Sequence, residues 1–301
     1  MKYRTLGRTG LEVSVIGLGT HQFSGEWAKQ FSAAEVDQLL GRARELGINF
    51  IDTAECYGDH AVERVIGQSI SRKRGDWILA TKFGHRYASP SEKLEAWSPD
   101  QVLQQLENSL RALQTDYVDL YQFHSGGNEA FNNDGLWMML NDQVRTGKVR
   151  HLGISLGASL VQKNDLQQLN SAKNVHAQVL QILYNRLFRE AERHILPFCK
   201  QHHLGVLARV PLAKGFLSGA YKPGATFVPG DIRSQYSATF NEEQLRQAEE
   251  IKQREIPSGQ NMAQWALAWC LKHPAVSSVI VGCKSIEQLQ LNAGATQLTN
   301  D

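Results

Sequence analysis

The sequence predicts a single (β/α)₈ barrel with an N-terminal β-hairpin closing its bottom. Three observations predict it. Eight short runs rich in β-branched residues alternate with eight segments of helical period. The chain between successive runs is long enough for a crossover helix, which makes the strands parallel. No change of composition, low-complexity tract or linker divides residues 1–301, so one domain takes the whole alternation. Eight such units are what closes a barrel, and the closed ring is preferred to an open doubly wound sheet.

The chain opens on two alternating segments, residues 3–6 and 12–15, around Gly7-Arg8-Thr9-Gly10. That arrangement is a hairpin with a glycine-rich turn. The eight strands follow at residues 15–19, 49–53, 77–82, 117–124, 149–155, 177–183, 205–210 and 277–282. Helices are expected at 32–46, 61–71, 99–113, 135–146, 159–170, 190–203, 260–272 and 285–293. Several carry start signals. Ser32 with Glu35, and Ser285 with Gln288, have capping-box spacing. Ser98 caps a helix whose first residue is Pro99. The stretches near 83–98 and 215–241 are too long for plain connections and read as functional loops.

Composition narrows the function. Lys plus Arg number 32 and Asp plus Glu 30, a formal charge of +2. That gives no reason to expect nucleic acid or a membrane as partner. The N-terminus has no apolar leader, and no window reaches the length of a membrane span. Cys56, Cys199, Cys270 and Cys283 form no Cys-x-x-Cys pair, so neither a disulfide framework nor a metal site is expected. The expectation is a cytoplasmic protein with free thiols, monomeric or weakly homo-oligomeric, acting on a small molecule.

In such a barrel the chemistry lies at the carboxyl ends of the strands. Reading those ends gives Asp52 after the second strand, Lys82 ending the third and His124 ending the fourth, with Tyr57 in the second loop. Each has an ordinary use when taken alone. Asp52 could cap a helix, Tyr57 pack, Lys82 snorkel at the rim, and His124 sit satisfied in the core. Together they suit carbonyl reduction, in which hydride adds to carbon and oxygen gains a proton. A phenol donates well if its pKa falls from about 10, and a nearby ammonium lowers it. Tyr57 is then the acid, Lys82 its tuner, Asp52 the anchor of Lys82, and His124 the donor that orients the carbonyl.

The chain also resembles the aldo-keto reductases. The resemblance runs through the opening Tyr3-Arg-Thr-Leu-Gly-Arg-Thr-Gly, through Asp52-Thr-Ala-Glu-Cys-Tyr57-Gly, and through Ala80-Thr-Lys82-Phe-Gly. It continues through Asp116-Tyr-Val-Asp-Leu-Tyr-Gln122 and Gly147-Lys-Val-Arg150 to the closing residues 279–292. It implies a catalytic tetrad of Asp52, Tyr57, Lys82 and His124 and a nicotinamide cofactor.

The cofactor is not placed by a nucleotide fingerprint. Gly17-Leu-Gly19 follows a strand but Gln22 breaks the dinucleotide glycine pattern, and no tyrosine has a lysine four residues on. The resemblance puts the cofactor on the strand ends instead. Gly19, Thr20 and Asp52 lie at the early strand ends. Ser155 and Gln181 hold the carboxamide, with Leu156 where the family usually has Asn. Arg209 takes the place of the aromatic residue stacked on the nicotinamide, and a guanidinium there favours the reduced form. Pro211, Leu212, Ala213, Lys214, Gly215 and Leu217 lie along the pyrophosphate. Gly282, Lys284 and Ser285 open the last helix at the 2′-phosphate, with Gln288 and Asn292 toward the adenine. A helix N-terminus plus Lys284 favours NADPH over NADH.

The substrate pocket is expected to be lined by His21, Phe23 and Trp27, with Tyr57 and His124 at its base. The reading is NADPH-dependent reduction of aldehydes or ketones. The alternative is a regulatory or redox-sensing protein on the same barrel, as the resembling potassium-channel β-subunits are. A lyase using Lys82 as a Schiff base would leave Gln181, Lys284 and Ser285 unexplained.

Overall fold

A computed structural model of the chain describes residues 1–89, 92–163 and 165–299. Residues 90, 91 and 164, which fall in the expected 83–98 loop and 159–170 helix, lie outside the described residues, as do 300 and 301. The strands are β1 (Tyr3–Thr5), β2 (Glu12–Ser14), β3 (Ile16–Gly19), β4 (Phe50–Asp52), β5 (Ile78–Phe83) and β6 (His85–Ser89). They continue with β7 (Glu92–Glu95), β8 (Val118–His124), β9 (Val149–Ser155), β10 (Ala177–Leu183), β11 (Gly205–Arg209) and β12 (Ser278–Val281). Strands β3, β4, β5, β8, β9, β10, β11 and β12 pair in that order, all parallel, and β12 returns to β3. The predicted closed barrel is the observed one.

The strands alternate side chains between the barrel interior and the helical layer. One face packs Phe50, Ala80, Leu120, Val179, Leu207 and Ile280 into the interior. The antiparallel β1–β2 hairpin inserts Leu6 and Val13 into that cluster. Both are fully buried, and burying an aliphatic side chain contributes about 1.5–3 kcal/mol. So the hairpin stops the bottom of the barrel, as its sequence implied. Gly7 makes the insertion possible. Its φ is +57°, and a Cβ there would fall 2.1 Å from the Gly205 nitrogen.

The helices cover the outer face. The Ala33–Glu45 helix starts with the full Ser32/Glu35 capping box, and the Pro99–Leu113 helix with a Ser98/Gln101 box. The last helix, Ile286–Gly294, departs from expectation. Ser285 caps it through Gln288 N, but Gln288 turns its carbonyl to the Lys284 amide.

Four stretches differ from the sequence reading. The expected 159–170 helix is two short helices, Ala158–Lys163 and Gln167–Ser171. The 83–98 region contains the β6–β7 hairpin. The expected 190–203 helix is a short 3₁₀ turn followed by Ile195–Gln201. An 18-residue helix, Ala238–Glu255, was not anticipated. Its buried stripe is narrow and partly polar, with Asn241 and Gln244 beside Leu245, Ala248 and Ile251. It covers a second apolar cluster with Phe216, Leu217, Met262 and Trp265, so the chain after β11 has its own small core.

Candidate active site

Asp52 ends β4, Lys82 lies near the end of β5, and His124 ends β8. A tight turn brings Tyr57 back over them, with the Tyr57 amide donating to Ala54 O at 3.1 Å. Lys82 is 1% exposed and Asp52 3%. Lys82 Nζ donates to Asp52 Oδ1 at 2.6 Å and to Thr53 O at 2.7 Å, and lies 3.5 Å from Tyr57 Oη. The other oxygen, Asp52 Oδ2, accepts from Gln122 Nε2 at 3.1 Å and Gln181 Nε2 at 2.8 Å. Gln181 Nε2 also reaches Gln122 Oε1 at 3.1 Å. Side chains of four strands thus form one polar floor, closed by hydrogen bonds.

The electrostatics follow from burial. Desolvation alone would push Lys82 down, but the Asp52 charge, the phenol of Tyr57 and the hydrogen bond to Asp52 raise it above the ordinary lysine value. Tyr57 behaves differently from the sequence-based expectation of a lowered phenol. Burial pushes it up to about 12, and the Lys82 charge only partly offsets that, because Asp52 opposes it. Burial is what the sequence reading left out.

His124 stands edge-on to Tyr57, with ring centroids 6.4 Å apart and planes at 80°. Its Nδ1 lies 3.7 Å from Cys56 Sγ. Gly84, at φ +112°, turns the chain out of β5 beneath Trp97, where a Cβ would fall 1.7 Å from the indole. That turn sets His85 against His124, with centroids 5.2 Å apart. Glu55 is buried and accepts from the His85 amide at 3.0 Å. Burial raises its carboxyl to about 8, against the lowering effect of that hydrogen bond.

His21 covers the outer side of Tyr57, centroid to centroid 4.7 Å, and is held by Glu26 at 3.1 Å. Trp27 meets the His21 ring edge-on at 6.0 Å. Phe23 instead turns into the hydrophobic core against Phe31. Thr20 is tied to Asp52 O through its hydroxyl at 3.0 Å, and Gly19 pairs with Asp52 across β3 and β4.

The expected cofactor residues ring the same mouth. Ser155 ends β9 and Arg209 ends β11. Arg209 Nη2 donates to Leu156 O at 3.1 Å. Buried Ser155 Oγ, Arg209 Nε and Gln22 Oε1 have no hydrogen-bond partner. Buried polar atoms are ordinarily satisfied, so these three fit a polar ligand at the mouth. The segment after β11 is strained. Val210, Ala213, Lys214 and Gly215 have φ of +58°, +47°, +57° and +94°, and left-handed residues cluster where backbone lines an anion. The amides of Ala213 and Gly215 are spent on turns to Val210 O and Leu212 O. Pro211 and Leu217 belong to the same stretch. Burial lowers the Lys214 ammonium to about 8, aided by the Arg209 charge.

Lys284 Nζ donates to Trp27 O at 2.6 Å, and Lys29 Nζ to Lys284 O at 2.7 Å. Asn292 Nδ2 reaches Gly282 O at 3.4 Å. A bridge joins Trp27 to Asp231, whose carboxylate is paired with Arg233 at 2.6 Å. The first loop, the last helix and the 231–233 segment therefore meet beside the mouth.

Sequence reasoning passed over Gln122, Glu55 and His85. Gln122 was legible, since it shares its strand face with His124 by the period of two. Glu55 and His85 gave no signal, because the β6–β7 hairpin that joins them was read as irregular.

A family model described as the aldo/keto reductase family matches residues 15–301. An uncharacterized oxidoreductase, YqkF, of Bacillus subtilis is 32% identical over 306 residues, covering 100% of this chain and 94% of the relative. A probable voltage-gated potassium channel subunit beta of Arabidopsis thaliana is 29% identical, with 99% and 92% covered. Among solved structures, the holo form of aldo-keto reductase AKR11C1 from Bacillus halodurans superposes with a TM-score of 0.81 at 28% identity, covering 100% and 92%.

Proposed function

The chain belongs to the aldo/keto reductase family, and from that premise we propose that it reduces aldehydes or ketones to alcohols with NADPH. The observation that carries the reading is the buried Lys82, fixed by Asp52 at 2.6 Å and lying 3.5 Å from the Tyr57 hydroxyl. The family uses nicotinamide cofactors. When bound, the reduced nicotinamide supplies hydride to the carbonyl carbon.

The rest falls to this chain's side chains. Ser155, with an unpartnered hydroxyl, would hold the carboxamide, and Gln181 would add only its carbonyl oxygen, since its amide is spent on Asp52 and Gln122. Arg209 would lie along the ring. Residues 211–217 would cradle the pyrophosphate, and Lys284 and Ser285 would meet the 2′-phosphate, which favours NADPH. His124 orients the carbonyl oxygen. Tyr57, held protonated through the neutral range, gives its proton to the nascent alkoxide, a stronger base than phenolate. Lys82 stabilises the phenolate left behind, and Asp52 keeps Lys82 charged. That same raised ammonium argues against Schiff-base chemistry, which needs a free amine.

The test is Tyr57→Phe. Turnover of an aldehyde should fall about 10²–10⁴-fold, while NADPH still quenches protein fluorescence. Retained turnover removes Tyr57 from the acid role. The similarity to a probable voltage-gated potassium channel subunit beta supports the regulatory alternative. Steady-state NADPH consumption over a carbonyl panel separates the two.

A further inference from the structure

One cluster shares His124 with the tetrad, while its other two members, Glu55 and His85, have no part in the proposed reduction. One carboxylate oxygen of Glu55, one ring nitrogen of His85 and one of His124 lie within 4.8 Å of one another. Glu55 is 3% exposed. Its Oε1 accepts from the His85 amide, but its Oε2 is buried with no hydrogen-bond partner. A buried carboxyl with one oxygen left without a partner, in a group that lies within reach of two imidazoles, is a ligand waiting for a cation that displaces its proton. We propose that Glu55, His85 and His124 bind one zinc-class divalent cation, and that its binding switches the reductase off.

The donor set selects the ion class. Two imidazoles and one carboxylate suit zinc and its d-block neighbours, whereas magnesium and calcium take all-oxygen sites. Cys56 Sγ, 3.7 Å from His124 Nδ1, adds a soft donor next to the set. Three protein ligands leave a fourth position open to water. Donors in a tetrahedral zinc site stand about 3.3 Å apart at bond lengths of about 2.0–2.1 Å, so the three must close up by about 1.5 Å at most. His85 is the ligand placed to move, since it sits on the β6–β7 hairpin and not on the barrel wall. The added charge is tolerable because the Lys82 ammonium is already matched by Asp52. Inhibition follows from the sharing of His124: a ring drawn to the cation no longer orients the carbonyl.

The metal-stripped full-length chain is dialysed against zinc chloride and the bound zinc counted. One zinc per chain is expected. Glu55→Gln and His85→Asn should each weaken it at least about tenfold, with melting temperature checked for both. Cobalt(II) on the wild-type chain should give the visible bands of a low-coordinate imidazole site, a readout that needs no variant. No retained zinc, zinc held equally by Glu55→Gln, or a colourless cobalt form would each overturn the site. Zinc should also lower kcat/KM for an aldehyde without changing NADPH affinity. That arm rests on the reductase reading, and the dialysis arm does not.

Discussion

Replacing Asp52 with Asn isolates the polar floor. The Lys82–Asp52 pair spans 2.6 Å with both side chains almost fully buried. At an effective dielectric near 20, that separation corresponds to about 6 kcal/mol of attraction. Lys82 keeps Thr53 O at 2.7 Å, so part of its solvation survives. Removing one partner of a buried pair costs about 3–5 kcal/mol in other proteins, and about 4 is expected here. For 301 residues, unfolding entropy near the midpoint is about 0.6 kcal/mol/K, so melting should fall by about 6 °C. The double variant Asp52→Asn/Lys82→Met should regain most of that, because no uncompensated charge remains. The assay is a calorimetric double-mutant cycle at neutral pH. A single variant within 1 °C of wild type, or a double variant that melts at the sum of the two losses, would show that Asp52 does not hold Lys82.

Three further outcomes follow. NADPH affinity, measured by fluorescence titration, should weaken as pH rises through about 8, where Lys214 sheds its proton, and Lys214→Met should flatten that profile. Gly7→Ala places a Cβ against the Gly205 backbone at positive φ, so it should destabilise by more than about 1 kcal/mol in urea unfolding, and an unchanged midpoint would contradict the plugged bottom. Arg209→Leu removes a cation next to the proposed nicotinamide site and should raise affinity for NADP⁺ relative to NADPH in paired titrations; an unchanged ratio would show that Arg209 does not bias the redox state.

The barrel was legible because each strand is a short apolar run bounded by turn residues, and the helices between carry caps such as Ser32 and Ser98. The Ala238–Glu255 helix was not, since Asn241 and Gln244 interrupt its buried stripe. The convergence of Asp52, Tyr57, Lys82 and His124 could be read from strand ends, because barrel topology alone brings those ends together. What could not be read was solvent exclusion. Lys82 beside Tyr57 argues for a lowered phenol, yet desolvation of its hydroxyl reverses the sign. Likewise Gln181, assigned to a ligand, spends its amide on Asp52 and Gln122. A sequence shows residue types at strand ends but not how they share hydrogen bonds.

That shared floor divides the molecule into a part that must stay fixed and a part free to drift. Asp52, Lys82, Gln122 and Gln181 come from β4, β5, β8 and β10, so their contacts hold only at one stagger of half the ring. A substitution that slides any of those strands misaligns the proton donor as surely as changing the donor itself. The 22–30 and 231–233 segments rest on the rim through Trp27, Lys284 and Asp231 and leave the floor alone, whereas His21 packs on Tyr57 itself. On the proposed function, new substrates are reached by rebuilding the rim, and a library confined to those segments should alter selectivity while the proposed proton-transfer step keeps its rate.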